Sequence, residues 1–279
     1  MKSIGGKIKR AIPKPAKEVL KRVVYNLRNR RFKPYLKSKN IEGVVFDFWI
    51  SDRDGRNWYD LQCTDPVWVE MRFMKHHMIG EGDVVLECGG HHGCTAIVLS
   101  NWVGAGGKVV TFEPLPRNCD IIQKNIEQNR LQNVTLERKA VGADKGKITI
   151  NDVSNSSVAM TGEGVEVELT CLDEYEHLNP TFLKIDVEGF EAQVLRGAMR
   201  ILKKRPKLAI EIHTKQLSNY GSSVEELFKL IGLNDYKIWI QWEDGKQPEE
   251  YDMRTPIQSR IHLFCIPRER MSIDQTSFS

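Results

Sequence analysis

From residue 83 onward, short apolar runs alternate with segments of helical periodicity, and this rhythm limits the fold more than any other feature. The runs are VVLECG, KVVTFEP, VTLERKAV, FLKIDV, KLAIEIH, YKIWIQW and RIHLFCIP. Strands that are buried on both faces consist of such runs, and helices between them make neighbouring strands parallel. The sequence therefore predicts an α/β fold, with a seven-stranded, mostly parallel sheet, an antiparallel last strand and helices on both faces.

Charge and patterning divide the chain into four parts. Fourteen Lys and Arg residues and one acidic residue occupy positions 1–40, so the rest carries a net charge of −9 within an overall +4. Residues 1–40 are predicted to be a basic amphipathic arm, and 41–80 a β-hairpin and a helix. The main domain is 81–268, with a β insertion at 146–171, and 269–279 form a tail.

The segment before the main domain shows two patterns. VVFDFWI, DRDGRN and WYDLQ predict a hairpin that turns at a glycine. The following segment, 65–79, has helical spacing, with Asp65 in the capping position and Pro66 at the first helical position.

The basic arm permits three interpretations. Val19, Val23 and Leu27 share one helical face and Lys or Arg fill the other, which favours an interfacial helix on anionic lipid. The alternatives are a solvated tail and a segment that contacts nucleic acid. Binding to nucleic acid is less favoured than binding to lipid.

Targeting signals and cysteine spacing bear on location. No apolar run reaches the roughly 20 residues of a membrane span, and no secretory signal is recognisable. The six cysteines form no regular framework, as in proteins whose thiols stay reduced. We expect a cytoplasmic protein, peripheral at the inner membrane surface if the arm binds lipid.

Two of the strand ends predict a cofactor site. ECGGHHG ends the first strand, and its Gly89 and Gly93 permit a tight turn and close approach to a ligand. Glu87 suits an amino group, and Glu113, at the end of the second strand, suits the two hydroxyls of a ribose. A nucleoside with an amino-acid tail, S-adenosylmethionine, satisfies both. Adenine would lie against Ala140 and Val141.

Charges on the fourth and fifth strands predict the reacting centre. Lys184, Asp186 and Glu188 alternate with apolar residues and so share a face, while Glu211 and His213 repeat this pattern on the next strand. If the first, fourth and fifth strands are neighbours, these side chains converge in one crevice. Buried charges are costly unless they are paired or functional, so a site is the favoured interpretation.

Together, ECGGHHG, TFEPLPRN, KAVG, LKIDVEGFEAQVLRGA and EIH resemble the FkbM family of S-adenosylmethionine-dependent methyltransferases over roughly residues 60–215. The resemblance implies the Rossmann-like, seven-stranded methyltransferase fold and methylation of hydroxyl groups, often on sugars or polyketide-type metabolites. It implies that Glu87, Gly89 and Gly93 form the cofactor loop and that Glu113 holds the ribose. It also implies a role for the Asp186–Glu188–Gly189 stretch. The pair His91–His92 departs from the family pattern.

Methyl transfer to an alcohol is aided by alignment and by a base. Asp186 and His213 are the candidate bases; Lys184 either positions one of them or forms an ion pair with Asp186 or Glu188. No metal is assigned, although Asp186, Glu211 and His213 could hold a divalent ion.

The acceptor is less constrained by the sequence. Residues 151–160 form either a lid or a solvated loop, and Trp49, Trp58 and Tyr59 either stack on a sugar or pack in the core. The favoured function is O-methylation of a sugar, a glycan or a related small-molecule metabolite. RNA ribose methylation and a non-catalytic cofactor-fold protein tethered by the basic arm are the alternatives.

Overall fold

The computed structural model describes Val23, Leu27 and residues 29–61, 68–152, 157–159 and 164–270. Most of the basic arm, the predicted Asp65–Pro66 cap, much of the 151–160 loop and most of the tail lie outside these residues.

The strands and helices follow the predicted alternation through the main domain. The strands are β1 (Tyr35–Ile41), β2 (Val44–Ile50), β3 (Val84–Cys88), β4 (Lys108–Phe112), β5 (Val134–Glu137), β6 (Ala140–Val141), β7 (Gly146–Ile150), β8 (Val165–Thr170), β9 (Phe182–Ile185), β10 (Lys207–Ile212), β11 (Tyr236–Trp242), β12 (Glu249–Glu250) and β13 (Ile261–Pro267). The α-helices are α1 (Arg53–Arg56), α2 (Val69–His77), α3 (Cys94–Val103), α4 (Pro116–Gln128), α5 (Glu191–Arg196), α6 (Met199–Lys203), α7 (Thr214–Leu217) and α8 (Val224–Ile231). A π-helical turn, Asn57–Leu61, extends α1, and 3₁₀ turns span Leu172–Leu178, Ser218–Tyr220, Leu233–Asp235 and Arg268–Arg270.

The main sheet has eight strands in the order β12-β11-β13-β10-β9-β3-β4-β5. Strands β10, β9, β3, β4 and β5 are parallel, whereas β13 runs antiparallel to both β10 and β11. The predicted antiparallel last strand is confirmed, and the short edge strand β12 adds one strand to the predicted seven. The chain order reverses beside β3, which lies between β4 and β9. Parallel sheets bind ligands at such a reversal, beyond the carboxyl ends of the strands.

Apolar side chains cover both faces of this sheet. Leu86 and Ile185 belong to a buried cluster that includes residues of α5, α6 and α8. Val85 and Phe182, the neighbours that alternate with them, belong to a second cluster that includes residues of α3 and the β1–β2 hairpin. Burial on both faces explains why these strands are almost wholly apolar, as predicted, up to the point where charges begin.

The hairpin before the core differs from the prediction. VVFDFWI is β2, but it pairs with the upstream strand β1 in register Tyr35↔Ile50, which crosses the expected boundary at residue 40. The predicted partner, WYDLQ, is helical or lies outside the described residues. Asp52 caps α1 by accepting a hydrogen bond from the Gly55 N–H at 2.6 Å, and this cap commits the DRDGRN segment to a helix.

The β insertion is present, although its sheet begins earlier than predicted. β6, β8 and β7 form a separate three-stranded sheet, with β6 parallel and β7 antiparallel to β8. The run VTLERKAV is therefore two strands: β5 ends at Glu137 in the main sheet, and Ala140–Val141 pair with β8.

Among the described residues, Cys88, Cys94, Cys119, Cys171 and Cys265 are free thiols, as the sequence predicts, and Cys63 lies outside them. No helix in the described part of the chain combines the length and apolarity needed to cross a bilayer.

One buried amide joins the hairpin to the main domain. Asn125 of α4 is fully buried; its Oδ1 accepts a hydrogen bond from the Trp49 N–H at 2.8 Å, and its Nδ2 donates to the His92 carbonyl at 2.9 Å. One turn later, Asn129 makes the same two kinds of bond with the backbone of Asp47, but at an exposed position.

Asn125→Ala is expected to lower the free energy of unfolding by about 2–5 kcal/mol, because each buried polar group left unpaired costs roughly 1–3 kcal/mol. The matched Asn129→Ala change is expected to cost less than half as much, since water replaces its lost partners. Urea denaturation followed by circular dichroism measures both. Equal losses would contradict the bridging role of Asn125.

Candidate active site

A glycine turn after β3 brings the backbone against the end of β9. Gly89 has a φ of 95°, and a Cβ at this position would overlap the carbonyl oxygen of Asp186. Gly93, with a φ of 85°, begins helix α3. The Asp186 N–H donates to the Cys88 carbonyl at 3.0 Å, so the first and fourth predicted strands meet at this turn.

Glu113 lies directly after β4 and is almost fully buried. Its Oε1 accepts hydrogen bonds from the Leu115 N–H at 3.0 Å and from Asn118 Nδ2 at 3.2 Å, and its Oε2 accepts from the His91 N–H at 2.9 Å. A carboxylate offers about four acceptor positions, so one remains, on Oε2. Burial raises the pKa of Glu113 to about 7, against the opposing effect of these hydrogen bonds. Glu113 can therefore accept a hydrogen bond directly from one ligand hydroxyl, whereas the sequence predicted hydrogen bonds from two ribose hydroxyls.

The two histidines of the glycine turn stack on each other, with ring centroids 4.1 Å apart. His91 Nδ1 lies 2.6 Å from the Tyr59 hydroxyl. Burial lowers the pKa of His91 well below its usual range and that of His92 to about 3, so both rings are neutral near pH 7. The histidine pair thus adds no positive charge to the turn.

Beyond β9, the charges predicted to share a face do so. Lys184 lies in register with Glu87 of β3, and its Nζ is 3.8 Å from Asp186 Oδ2. Burial would lower the pKa of Lys184, but the carboxylates of Asp186, Glu87 and Glu211 raise it above its usual value. Lys184 is therefore a cation paired with Asp186, the ion-pair alternative of the sequence interpretation. Burial, and secondarily the charge of Glu211, raises the pKa of Asp186.

His213 follows β10 and is surrounded by carboxylates. Its Nδ1 lies 2.8 Å from Glu191 Oε1, and its Nε2 faces Glu211 at 3.5 Å, Glu188 at 3.6 Å and Asp186 at 4.0 Å. Burial would lower the pKa of His213, but the hydrogen bond with Glu191 and the nearby carboxylates raise it to about 9. These contacts favour the protonated imidazole, and the base role expected from the sequence stays a prediction.

Two adjoining cavities lie at this edge of the sheet. The first, about 200 Å³, is lined by four of the six residues predicted to hold the cofactor: Gly89, Glu113, Ala140 and Val141. The second, about 330 Å³, is lined by residues of both the sheet and the segments around it, among them Trp68, Glu70, Lys184, Trp242 and His262. The cavities share seven lining residues: Trp58, Tyr59, Gly89, His91, Asp186, Glu211 and Arg260.

Three predicted site residues do not line either cavity. Glu87 is fully buried inside the sheet, in register with Thr111 and Lys184, and Gly93 lies at the start of α3. His213 lies behind Asp186 and Glu211. Direct contact of Glu87 with the cofactor therefore stays a prediction. Of the three aromatic candidates, Trp58 and Tyr59 line both cavities, whereas Trp49 lies outside them, beneath Lys124.

Sequence reasoning assigned no role to Glu191 or Arg260. Glu191 is fully buried and holds His213, and Arg260 Nη1 is 3.0 Å from Glu211 Oε1. For Glu191 a signal exists in the sequence: it begins a helical stripe that continues with Val194, Leu195 and Ala198, all buried. A carboxyl on an apolar stripe needs a partner in the core. For Arg260 the sequence contains no such signal, because an arginine just before a strand is a common surface residue.

The Gly89–Asp186 contact can be tested against a second glycine. Gly82 also has a positive φ, of 81°, but open space surrounds its Cβ position. Gly82→Ala is expected to cost about 1–2 kcal/mol of unfolding free energy from backbone strain alone. Gly89→Ala is expected to cost roughly 1–3 kcal/mol more, because the strand ends must separate. Urea denaturation compares the two, and equal costs would contradict a close contact.

Comparison with known proteins gives matches over parts of this chain. A protein-L-isoaspartate O-methyltransferase from Methanococcoides burtonii is 38% identical over 58 residues, which are 21% of this chain and 29% of that protein. The crystal structure of an FkbM methyltransferase from Methylobacillus flagellatus matches with 16% identity and a TM-score of 0.44, over 74% of this chain and 56% of that one. Both matches thus span less than two thirds of the other protein.

The structure of Aeropyrum pernix fibrillarin, with natively bound S-adenosyl-L-methionine, matches with 16% identity and a TM-score of 0.42, over 67% of each chain. The family model for the methyltransferase FkbM domain matches residues 87–238, more than half of the 279 residues. This span runs from the end of β3 into the start of β11 and includes every residue predicted for the site. The chain belongs to the FkbM family of S-adenosylmethionine-dependent methyltransferases.

Proposed function

We propose that the chain transfers a methyl group from S-adenosylmethionine to a hydroxyl of a sugar or glycan. The observation that carries this proposal is the pair of adjoining cavities, one suited to the cofactor and one to a hydroxyl-bearing acceptor, which share Asp186. A transfer between two bound molecules requires two such compartments that meet at shared polar residues.

The first cavity fits a nucleoside. Glu113 Oε2 retains one acceptor position for a ribose hydroxyl, and Ala140 and Val141 provide an apolar wall for a base. The lack of a side chain at Gly89 keeps the cavity floor open beside Asp186. When bound, S-adenosylmethionine supplies a sulfonium-activated methyl group, which an acceptor oxygen takes by in-line displacement while the carbon–sulfur electron pair passes to sulfur.

The second cavity fits a neutral, hydroxyl-rich acceptor. Trp58, Trp68 and Trp242 offer flat apolar surfaces, and Gln241 and His262 offer hydrogen bonds. A sugar ring has C–H groups on its faces and hydroxyls at its edge, so it matches both kinds of surface.

The charge of the second cavity favours a sugar over RNA. Its lining includes the acidic residues Glu70, Asp186, Glu211 and Glu243 and the basic residues Lys184 and Arg260. Burial raises the pKa of Glu70 to about 7 and lowers that of His262 to about 4, so near pH 7 Glu70 is only partly charged and His262 is neutral; Asp186, Glu211 and Glu243 still outnumber the two basic residues. A lining that is acidic on balance repels phosphates. Ribose methylation of RNA is therefore the weaker candidate.

Asp186 is the residue placed to assist the reaction. It lines both cavities, and Lys184 holds its Oδ2. As a carboxylate it accepts the hydrogen bond of the acceptor hydroxyl, orients the oxygen toward the methyl group and receives or relays the proton that leaves. Correct alignment contributes most, because the methyl donor is already activated.

Cofactor binding tests the first half of this proposal. Calorimetric titration of S-adenosylhomocysteine into the full chain is expected to show saturable binding. Glu113→Gln is expected to weaken it about 10- to 100-fold, the equivalent of one hydrogen bond to a charged group. The matched control is Glu137→Gln, because Glu137 ends the next strand, pairs with Lys139 and does not line the cavity. Absence of binding by the folded chain would refute the proposal.

Transfer itself tests the second half. Radiolabel from S-adenosylmethionine is expected to enter a glycan or sugar acceptor, and Asp186→Asn is expected to reduce the rate about 10²- to 10⁴-fold. S-adenosylhomocysteine affinity should change little in this variant. Label that enters an RNA fraction and is lost after RNase treatment would favour the nucleic-acid alternative. An undiminished rate in Asp186→Asn would remove Asp186 from the mechanism.

A further inference from the structure

The carboxylates around His213 are spaced around a gap. The His213 side chain is only 5% exposed, and its Nε2 is directed at three carboxylate oxygens that lie 3.5, 3.6 and 4.0 Å away. It faces Glu211 Oε1 at 3.5 Å and Asp186 Oδ1 at 4.0 Å. One ligand atom from each of Asp186, Glu211 and His213 lies within 4.8 Å of the others. Around an ion with bonds of about 2.1 Å, neighbouring and opposite ligand atoms are roughly 3–4.2 Å apart, close to these values.

A buried carboxylate fixes the direction of the imidazole. Glu191 Oε1 lies 2.8 Å from His213 Nδ1 and also accepts the Gly189 N–H at 2.9 Å. Because a carboxylate accepts, Nδ1 carries a hydrogen, and Nε2 is the nitrogen directed at the gap. Metal-binding histidines are commonly held this way, with one nitrogen on a carboxylate and the other on the ion.

Two basic side chains border the cluster without filling it. Lys184 contacts Asp186 through Oδ2, which leaves Oδ1 toward His213. Arg260 Nη1 lies 3.0 Å from Glu211 Oε1, the same oxygen that faces Nε2, and Arg260 lines both cavities. Glu188 lies 3.6 Å from Nε2. A coordinated ion would take the place of the proton on Nε2 and contact several of these partly buried carboxylates at once.

We infer that Asp186, Glu211 and His213 form a divalent-cation site between the two cavities. One imidazole and two carboxylates suit Mn²⁺ and chemically similar ions. This inference rests on the proposed function and deepens it, because an ion here lies where the acceptor hydroxyl must be. Coordination lowers the pKa of a bound hydroxyl. The acceptor would then lose its proton to water or Asp186 without a free histidine base.

Mn²⁺ alone is the probe. Full-length protein is stripped with a chelator, dialysed and titrated with Mn²⁺ while electron paramagnetic resonance reports the free ion. One Mn²⁺ per chain is expected. Glu211→Gln and His213→Asn each remove one ligand and should weaken Mn²⁺ binding at least tenfold. Glu191→Gln alters only the positioning residue and should weaken Mn²⁺ binding about 10- to 100-fold. Glu174→Gln is the control, because Glu174 is exposed and pairs with Lys145; it should change nothing.

Calorimetry with S-adenosylhomocysteine on the same samples separates the possible failures. Cofactor binding without stoichiometric Mn²⁺ binding would overturn the metal site and leave the methyltransferase proposal standing. Unchanged Mn²⁺ affinity in the folded Glu211→Gln and Glu191→Gln proteins would place the ion elsewhere and equally overturn it. If a folded chain bound no S-adenosylhomocysteine, the proposed function itself would be wrong.

Discussion

The parallel pairing of β3 with β9 determines the position of nearly every group at the site. The register Glu87↔Lys184 fixes how far each strand extends, so that the Cys88 carbonyl meets the Asp186 N–H and Gly89 packs against the Asp186 carbonyl. A shift of one residue would turn Lys184, the one charged side chain of β9, to the opposite face. The buried Lys184 opposes such a shift, because it would lose its carboxylate neighbours.

This pairing also determines which side chain each neighbouring strand contributes at the edge of the sheet. β4 contributes Glu113 on one side of the glycine turn, and β10 contributes Glu211 on the other. The two cavities, proposed above to hold cofactor and acceptor, meet at Asp186 and Glu211. The helical turn after β9 adds Glu191, whose burial with His213 stabilises the polar cluster from below.

The sequence was sufficient for the parts of the structure that depend on local pattern. Apolar strands buried on both faces are recognisable one at a time, and the alternation of Lys184, Asp186 and Glu188 correctly predicted a shared face. The hairpin was missed because β1, YLKSKNI, is mostly polar and exposed and gains its place only by pairing. The pKa of His213 was not predictable from the sequence, because it depends on carboxylates that follow β9, begin α5 and lie in β10, a neighbourhood that no local pattern specifies. Likewise, the remaining hydrogen-bonding capacity of Glu113 depends on three donors that surround it only in the fold.

The walls of the two cavities extend beyond the part of the chain that matches the family. Trp58, Tyr59 and Glu70 come from before residue 87, and Arg260 and His262 come from after residue 238. The core supplies Gly89, Glu113 and Asp186, whereas the flanking segments supply most of the aromatic surface of the second cavity. Under the proposed function, these two flanking segments are where acceptor preference would be altered. A fragment trimmed to the family boundaries would lose that surface, together with the first three residues of the central strand β3 and all of β13.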